Sequence, residues 1–154
     1  MKILARVLAT WFYCGYAPVA PGTAGSVAAI LIAWVLHAYA SLPAIAFGVL
    51  GAVLAIPGIW AAKVTARAIH SKDPGIVVVD EVVGQWITLA GATALNWHSW
   101  LLAFTLFRIF DIWKPPPVRQ LEKLPEGFGI VADDAMAGVY GALVLFAAGR
   151  LHLY

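Results

Sequence analysis

Charged residues are scarce in this chain of 154 residues: Asp, Glu, Lys and Arg together make up 12%, whereas hydrophobic residues make up 62%. An average soluble domain carries about 25% charged residues. A soluble fold of this length has limited interior volume and could not bury so many apolar side chains. The composition therefore predicts one membrane-embedded domain over residues 1–154, with lipid around much of its surface.

Cysteine is nearly absent, since Cys14 is the only one. A single cysteine excludes an internal disulfide framework and a zinc site built from thiolates. The formal net charge is only +2, and no stretch interleaves clustered basic residues with aromatic ones. Nucleic acid is therefore not expected as a partner.

Long apolar runs are abundant, and five follow an N-terminal segment, at residues 23–40, 42–62, 81–95, 99–113 and 133–150. The first two would be roughly 27 and 31 Å long as helices, enough to cross a hydrocarbon core of about 30 Å. The third and fourth would reach roughly 22 Å, so they either span the bilayer or form a hairpin that dips into it. We expect an all-α, polytopic membrane bundle with about four to five membrane-embedded helices.

The N-terminal segment and the loops predict how the bundle lies in the membrane. Residues 2–12 place apolar side chains at helical spacing opposite Lys2 and Arg6, which predicts an amphipathic helix in the membrane interface. Positive residues are concentrated in the loops after the second and fourth runs, and such loops are typically cytoplasmic. They are Lys63, Arg67, Lys72, Lys114, Arg119 and Lys123.

Acidic residues are few, yet five of the eight lie in or beside apolar runs. A carboxylate costs about 2.5 to 3.5 kcal/mol at a bilayer midplane, so such residues are candidates for function. The predicted topology places all five at one membrane face, where they could bind Mg²⁺, a cation that prefers oxygen ligands. The predicted metal ligands are Asp80, Glu81, Asp111, Asp133 and Asp134.

Structural roles would also explain these acids one at a time. Asp80 and Asp133 could be helix N-caps, and Glu81 and Asp134 could simply favour the positive end of a helix dipole. Asp111 lies near the end of its run, where the dipole disfavours an anion. An ion pair with Arg108, three residues earlier, is the alternative there.

Groups that could bind phosphate accompany the acids. The sequence Pro-Gly-Thr-Ala-Gly-Ser at 21–26 leads into the first long run, so backbone N–H groups at a helix start and the hydroxyls of Thr23 and Ser26 could hold a phosphate. Arg108 and Lys114 bracket Asp111 and could neutralise a phosphoryl group. The Gly-Phe-Gly sequence at 127–129 is either a turn or a close approach of the backbone to substrate.

Four ordered motifs resemble those of the phosphatidylglycerophosphatase A family: PGTAGS at 21–26, DEVVGQW at 80–86, FRIFDIWKP at 107–115 and GFGIVADDAMAG at 127–138. The resemblance covers nearly the whole chain. It implies a magnesium-dependent phosphatase of the bacterial inner membrane that converts phosphatidylglycerophosphate to phosphatidylglycerol. The motifs of the family fall on all five acids, with Arg108 and Lys114 in the same blocks.

The resulting hypothesis is metal-assisted hydrolysis of a phosphate monoester at the cytoplasmic face. The expected catalytic residues are Asp80, Glu81, Asp111 and Asp134, with Thr23, Ser26, Arg108 and Lys114 binding substrate. A carboxylate would position or deprotonate the attacking water, or Asp80 or Asp134 would attack directly and form an aspartyl-phosphate.

Other classes remain as alternatives: another lipid phosphate phosphatase, a CDP-alcohol phosphotransferase or a small cation-coupled carrier. The phosphotransferase class expects several aspartates on neighbouring helical turns after an Asp-Gly and Ala-Arg start, and this pattern is absent. A carrier expects acids near mid-membrane and usually internal repeats. Here the acids are predicted at one end, and no repeat is visible.

Overall fold

The computed structural model describes residues 2–154, which form seven α-helices and one short 3₁₀ helix at Cys14–Tyr16, without a β-strand. This confirms the predicted all-α class. The helices are α1 (Lys2–Ala9), α2 (Pro21–Ala40), α3 (Ala44–Ile69), α4 (Val79–Leu89), α5 (Trp97–Trp113), α6 (Val118–Leu121) and α7 (Gly127–Arg150).

Within residues 2–154, three helices, α2, α3 and α7, are long and apolar enough to cross a membrane. Their 20, 26 and 24 residues correspond to about 30, 39 and 36 Å of helix. By contrast, α4 has only 11 residues, or about 16 Å, and α5 has 17 residues, or about 26 Å. The three long apolar helices make this a membrane protein, and the count of four to five embedded helices stays a prediction.

The N-terminal helix is shorter than the sequence pattern predicts. It ends at Ala9, because Trp11, Phe12 and Tyr13 all adopt positive φ angles that no α-helix contains. Trp11 turns inward, is only 7% exposed and packs edge-on against Trp86. The extension of the helix through residues 11 and 12 was therefore wrong, and its position in the membrane interface stays a prediction.

The short helix α4 is the centre of the bundle. Every residue of it except Glu81 and Ile87 is buried, and α2, α3, α5 and α7 pack around it. The indole N–H of Trp86 donates to the carbonyl of Ala29 at 3.0 Å, which ties α4 to α2. The apolar run at 81–95 is therefore surrounded mainly by protein, whereas α2, α3 and α7 expose their outer faces.

Helices α4 and α7 cross in backbone contact through glycines. A Cβ on Gly84 would overlap the ring of Phe107 and lie 2.5 Å from the carbonyl oxygen of Asp134, and a Cβ on Gly138 would overlap the Gly84 carbonyl. Thr88 Oγ1 donates to the carbonyl of Gly138 at 3.2 Å. Small residues and side-chain hydroxyls are the usual means by which helices pack closely in membranes.

Helix α7 begins six residues earlier than the apolar run predicts, so the Gly-Phe-Gly sequence is its first turn and the turn prediction was wrong. Gly127 packs against the backbone of Ile59 in α3, and Gly129 packs against the carbonyl of Leu124. A side chain at either position would push α7 away from these neighbours. Asp133 and Asp134 consequently lie in the second turn, and Glu126 is the N-cap residue.

Candidate active site

A pocket of about 460 Å³ lies at the end of the bundle where α2, α4 and α7 begin and α5 ends. All eight acidic residues of the chain line this pocket, accompanied by three cations, Lys72, Arg108 and Lys114. The prediction that the five embedded acids share one face is thus matched by their positions. The structure adds three acids from loops, Asp73, Glu122 and Glu126.

Three of the carboxylates form a tight cluster. Oxygens of Asp80, Glu81 and Asp134 all lie within 4.8 Å of one another. Asp80 and Asp134 are only 8% and 5% exposed, and Asp80 Oδ1 and Glu81 Oε2 have no hydrogen-bond partner among residues 2–154. Buried anionic oxygens without donors are costly unless a proton or a cation compensates them. The geometry therefore suits a cation at this point.

Helix register explains why the cluster forms. Asp80 is four residues before Gly84, and Asp134 is four residues before Gly138. Residues four apart share a helix face, so each acid lies one turn from the glycine at which α4 and α7 touch. The close crossing therefore brings the two carboxylates together from sequence positions 54 residues apart.

The N-terminus of α4 favours carboxylates electrostatically. Asp80 and Glu81 occupy its first turn, where the helix dipole is positive. Val78 is the N-cap residue, so the interpretation of Asp80 as an N-cap was wrong, as it was for Asp133. Burial and the charge of Glu81 nevertheless raise the pKa of Asp80 well above its usual value.

The two remaining embedded acids are paired with cations. Asp111 lies 2.6 Å from Arg108, its partner three residues earlier, as the structural interpretation of Asp111 predicted. Asp133 accepts a 2.7 Å hydrogen bond from Lys114, which also lies 3.2 Å from Glu122. Asp111 and Asp133 do not belong to the group of three that meets within ligand distance.

Lys114 is held as a cation. Partial burial by itself would lower its pKa, but the hydrogen bonds and charges of Asp133 and Glu122 outweigh burial, so the pKa of Lys114 is raised. Its backbone is in the left-handed conformation at the C-cap of α5, where φ is 49°. The ammonium therefore stays in the pocket as a fixed positive charge.

The start of α2 reaches the pocket through its backbone. Ala20, Pro21 and Gly22 line it, and Gly22 packs so closely on the Glu81 carboxylate that a Cβ there would require the Glu81 side chain to shift. Thr23 and Ser26, which were predicted to bind substrate, are not among the lining residues. The Ser26 hydroxyl donates to the Gly22 carbonyl at 3.0 Å, within its own helix.

Sequence reasoning missed the loop acids and one buried amide. Glu126 forms ion pairs with Lys63 and Arg67. These two cations were among those used to predict the cytoplasmic loops, and an acid that pairs with them could have been sought on the same grounds. Gln85 is fully buried, and neither polar atom of its side chain has a hydrogen-bond partner among the described residues. It lies one helical turn after Glu81, and a Gln inside an apolar run was the available signal.

Comparison with known proteins gives a consistent assignment. The family model described as phosphatidylglycerophosphatase A matches residues 7–149. A Bacteroides thetaiotaomicron protein named "Putative phosphatidylinositol-3-phosphatase" is 40% identical over 97% of this chain and 95% of its own length. Proteins named phosphatidylglycerophosphatase A are 39% identical in Haemophilus influenzae and 36% identical in Escherichia coli.

These two relatives are matched over 86% and 83% of their own lengths, and they match 92% and 94% of this chain. No solved structure matches the chain. The resemblance seen in the four motifs is therefore confirmed by a match that contains every residue of the acidic cluster. The chain belongs to the phosphatidylglycerophosphatase A family, and it is a phosphatase.

Proposed function

We propose that this phosphatase hydrolyses phosphatidylglycerophosphate to phosphatidylglycerol and inorganic phosphate. The observation that carries the proposal is the acidic pocket at the end of an apolar bundle, in a chain whose relatives from two bacteria are named for this reaction. The pocket combines a three-carboxylate cluster with Arg108 and Lys114, which is the chemistry needed to bind a phosphate monoester.

A second substrate class is favoured by one observation. The Bacteroides relative, at 40% identity, is named for a phosphatidylinositol 3-phosphate activity. Both substrates present a phosphate monoester on a lipid head group, so the same pocket chemistry would serve either. The choice between them depends on how the alcohol of the head group fits, and a panel of substrates tests it directly.

We further propose that Asp80, Glu81 and Asp134 hold a Mg²⁺ ion. Their oxygens lie within 4.8 Å of one another, and Asp80 Oδ1 and Glu81 Oε2 are buried without hydrogen-bond partners in the part of the chain that the structure describes. This cation prefers oxygen ligands and usually keeps several coordination positions for water and substrate phosphate. When bound, the ion would supply a Lewis acid that polarises a phosphate oxygen. Asp111 and Asp133, the other two predicted ligands, would act next to it.

The protein's own groups would do the rest. Arg108 and Lys114 would exchange part of their pairing with Asp111 and Asp133 for contacts with phosphate oxygens, balancing charge as the phosphorus–oxygen ester bond breaks. A carboxylate of the pocket would position the attacking water and accept its proton, and the departing alcohol would take up a proton. The ion pairs therefore hold the cations in place before substrate arrives.

Direct attack by Asp80 or Asp134 is the alternative route to the same products. It differs in one observable, because an aspartyl-phosphate would form on the enzyme. To distinguish the two routes, the reaction with ³²P-labelled substrate is quenched rapidly in acid. The protein is then tested for bound label that is stable in acid and is released by hydroxylamine. Label on the protein supports attack by a carboxylate, whereas label found only in inorganic phosphate supports attack by water.

We propose that the pocket faces the cytoplasm in the bacterial inner membrane. The cations of the predicted cytoplasmic loops, Lys63, Arg67, Lys72 and Lys114, lie at the same end of the bundle as the pocket. A cysteine introduced at Lys123 in a Cys14→Ser background should react with an impermeant maleimide in inside-out vesicles and not in intact spheroplasts. The opposite pattern would contradict this orientation.

The activity is tested with the purified protein in detergent. Release of inorganic phosphate is measured from phosphatidylglycerophosphate, phosphatidic acid, phosphatidylinositol 3-phosphate and glycerol 3-phosphate, with Mg²⁺ and with EDTA. We expect the highest kcat/KM on phosphatidylglycerophosphate and loss of turnover in EDTA that Mg²⁺ restores. Preference for phosphatidylinositol 3-phosphate would favour the second substrate class, and full activity in EDTA would contradict the metal proposal.

A further inference from the structure

An apolar groove runs along the seam between α2 and α5, outside the acidic pocket. Its volume is about 560 Å³, and no charged residue lines it. The seam exposes large side chains to the surroundings: Leu31 is 57% exposed, Leu101 58% and Trp97 68%. The walls include Val27, Leu31 and Trp34 from α2 and Trp97, Leu101 and Phe104 from α5.

The groove and the pocket share one face of α5. Trp97, Leu101 and Phe104 line the groove, and Arg108 and Asp111 line the pocket. These five positions are separated by four, three, four and three residues, a spacing that keeps them on a single stripe of the helix. Along that stripe the side chains change from apolar to charged between Phe104 and Arg108, which are one turn apart.

The same change occurs along α2. Pro21 and Gly22 line the pocket, and Val27 begins the groove five residues later. Because α2 begins at the pocket and α5 ends at it, the helices run in opposite directions, and both lead from the pocket into the groove. From Gly22 to Trp34 the helix rises about 18 Å, which gives the extent of pocket and groove together.

Thr23 lies at the junction. It precedes Val27 by four residues, Ile30 by seven and Trp34 by eleven, so it belongs to the groove-facing stripe of α2. Thr23 is thus on the helical turn of α2 between the pocket-lining and groove-lining residues, although it is not among the residues that line either one. This register gives Thr23 a position suited to the polar glycerol of a lipid rather than to the phosphate.

We infer that the α2–α5 groove holds an acyl chain of the lipid substrate while the phosphate of the same molecule occupies the acidic pocket. The inference rests on the proposed function as a lipid phosphatase. A phospholipid joins a phosphate and an acyl chain covalently, and the seam presents sites for both, end to end on the same two helices. Burying the chain in the groove then positions the head group at the cluster.

The first test fills the groove without touching the pocket. Leu31→Trp adds bulk in the groove, and Leu143→Trp adds the same bulk to a second lipid-facing groove, between α5 and α7. Leu143 is 62% exposed, so the two positions are matched in residue type and exposure. Kinetics are compared on dipalmitoyl phosphatidylglycerophosphate and on its fully deacylated head group.

We expect Leu31→Trp to lower kcat/KM for the dipalmitoyl substrate about tenfold while changing kcat/KM for the deacylated head group by less than about twofold. Leu143→Trp should leave the ratio of the two substrates unchanged. An unchanged ratio in Leu31→Trp, or an equal fall of the ratio in both variants, would overturn the inference. Failure of the wild-type protein to release phosphate from any lipid phosphate would instead overturn the proposed function.

A second test needs no variant. A phosphatidylglycerophosphate analogue with a diazirine in the middle of one acyl chain is photolysed with the wild-type protein, and labelled peptides are mapped by mass spectrometry. We expect label on residues 27–34 and 97–104 that excess unlabelled substrate removes, and no such competition at Val49 or Val53, which face outward on α3. Label of equal strength at all exposed positions, or label that substrate does not displace, would show bulk lipid only and overturn the inference.

Discussion

The crossing of α4 with α7 and the seam between α2 and α5 are built in opposite ways. The crossing is closed: Gly84 and Gly138 meet backbone to backbone, and Phe107 packs against Gly84 without exposure to the surroundings. The seam is open, with a groove of about 560 Å³ between side chains that face outward. Both nevertheless end at the same acidic pocket.

The difference follows from what each interface must hold. Three carboxylates within 4.8 Å repel one another, so the backbone that carries them must be fixed by close packing. A flexible lipid would need an entrance instead, and a seam that protein does not close would provide one. Rigidity at the crossing and openness at the seam therefore belong to the same proposed reaction.

The largest effect is expected when two phenylalanines of α5 are compared, one at the α4–α7 crossing and one in the α2–α5 groove. Phe107→Ala should lower the free energy of unfolding by about 3 to 5 kcal/mol, because it empties a fully buried site at the crossing. Phe104→Ala, in the groove, should cost less than about 1 kcal/mol, because detergent or lipid replaces the ring. Denaturant unfolding in detergent measures both. Equal losses would mean that the seam is as closed as the crossing.

Loss of Asp80, which the crossing positions, should reduce turnover far more than loss of Asp73, an acid in a loop. Asp80→Asn should lower kcat about 100-fold or more, because it removes one charge from the cluster. The melting temperature should not fall, since the substitution relieves repulsion between buried carboxylates. Asp73→Asn changes an exposed acid outside the cluster and should have a much smaller effect. Similar losses of phosphate release in both variants would contradict the proposal that the three-carboxylate cluster has a special role in turnover.

Replacing a glycine by alanine should destabilise the protein more at the α4–α7 crossing than elsewhere in the bundle. Gly84→Ala should destabilise the protein by about 1 to 3 kcal/mol, because its Cβ would overlap Phe107 and the Asp134 carbonyl. It should also reduce turnover, since α7 carries Asp134. In α3, a Cβ on Gly58 would meet Val79 at an ordinary 3.5 Å.

Gly58→Ala is therefore the matched control, and it should be neutral or stabilising because alanine favours a helix. Thermal unfolding in detergent and phosphate release are compared for the two variants. A Gly84→Ala protein with the stability and turnover of the wild type would show that the crossing can relax, and it would break the contrast with the seam.

The smallest expected effect concerns Lys114, a cation that lines the pocket. Lys114→Gln should raise KM about tenfold, the value of a charged hydrogen bond, because Lys114 is expected to contact the phosphate. Lys114→Arg should recover part of the affinity, and Lys123→Gln, outside the pocket lining, should leave KM unchanged. Steady-state kinetics with separate kcat and KM measure this. A fall in kcat at constant KM would place Lys114 in positioning the acids rather than in binding.

The sequence by itself determined the class of the protein and its chemical groups. Low charge, long apolar runs and five acids in or beside those runs led to an all-α membrane protein with a one-sided acidic site, and the four motifs led to the family. These inferences depend on composition and on local periodicity, which neighbouring residues in the chain determine. Helix ends were less predictable, as at the start of α7 at Gly127 and the end of α1 at Ala9, because the conformations of glycines and left-handed residues depend on what packs beside them.

Only the tertiary structure decided which acids meet and which are paired. Asp80 and Asp134 join because Gly84 and Gly138 let two helices touch, whereas Asp111 and Asp133 lie beside Arg108 and Lys114. The groove between α2 and α5 is likewise a product of how the helices pack. Distances between residues far apart in the chain depend on how helices cross, and that crossing depends on the shapes of both surfaces at once.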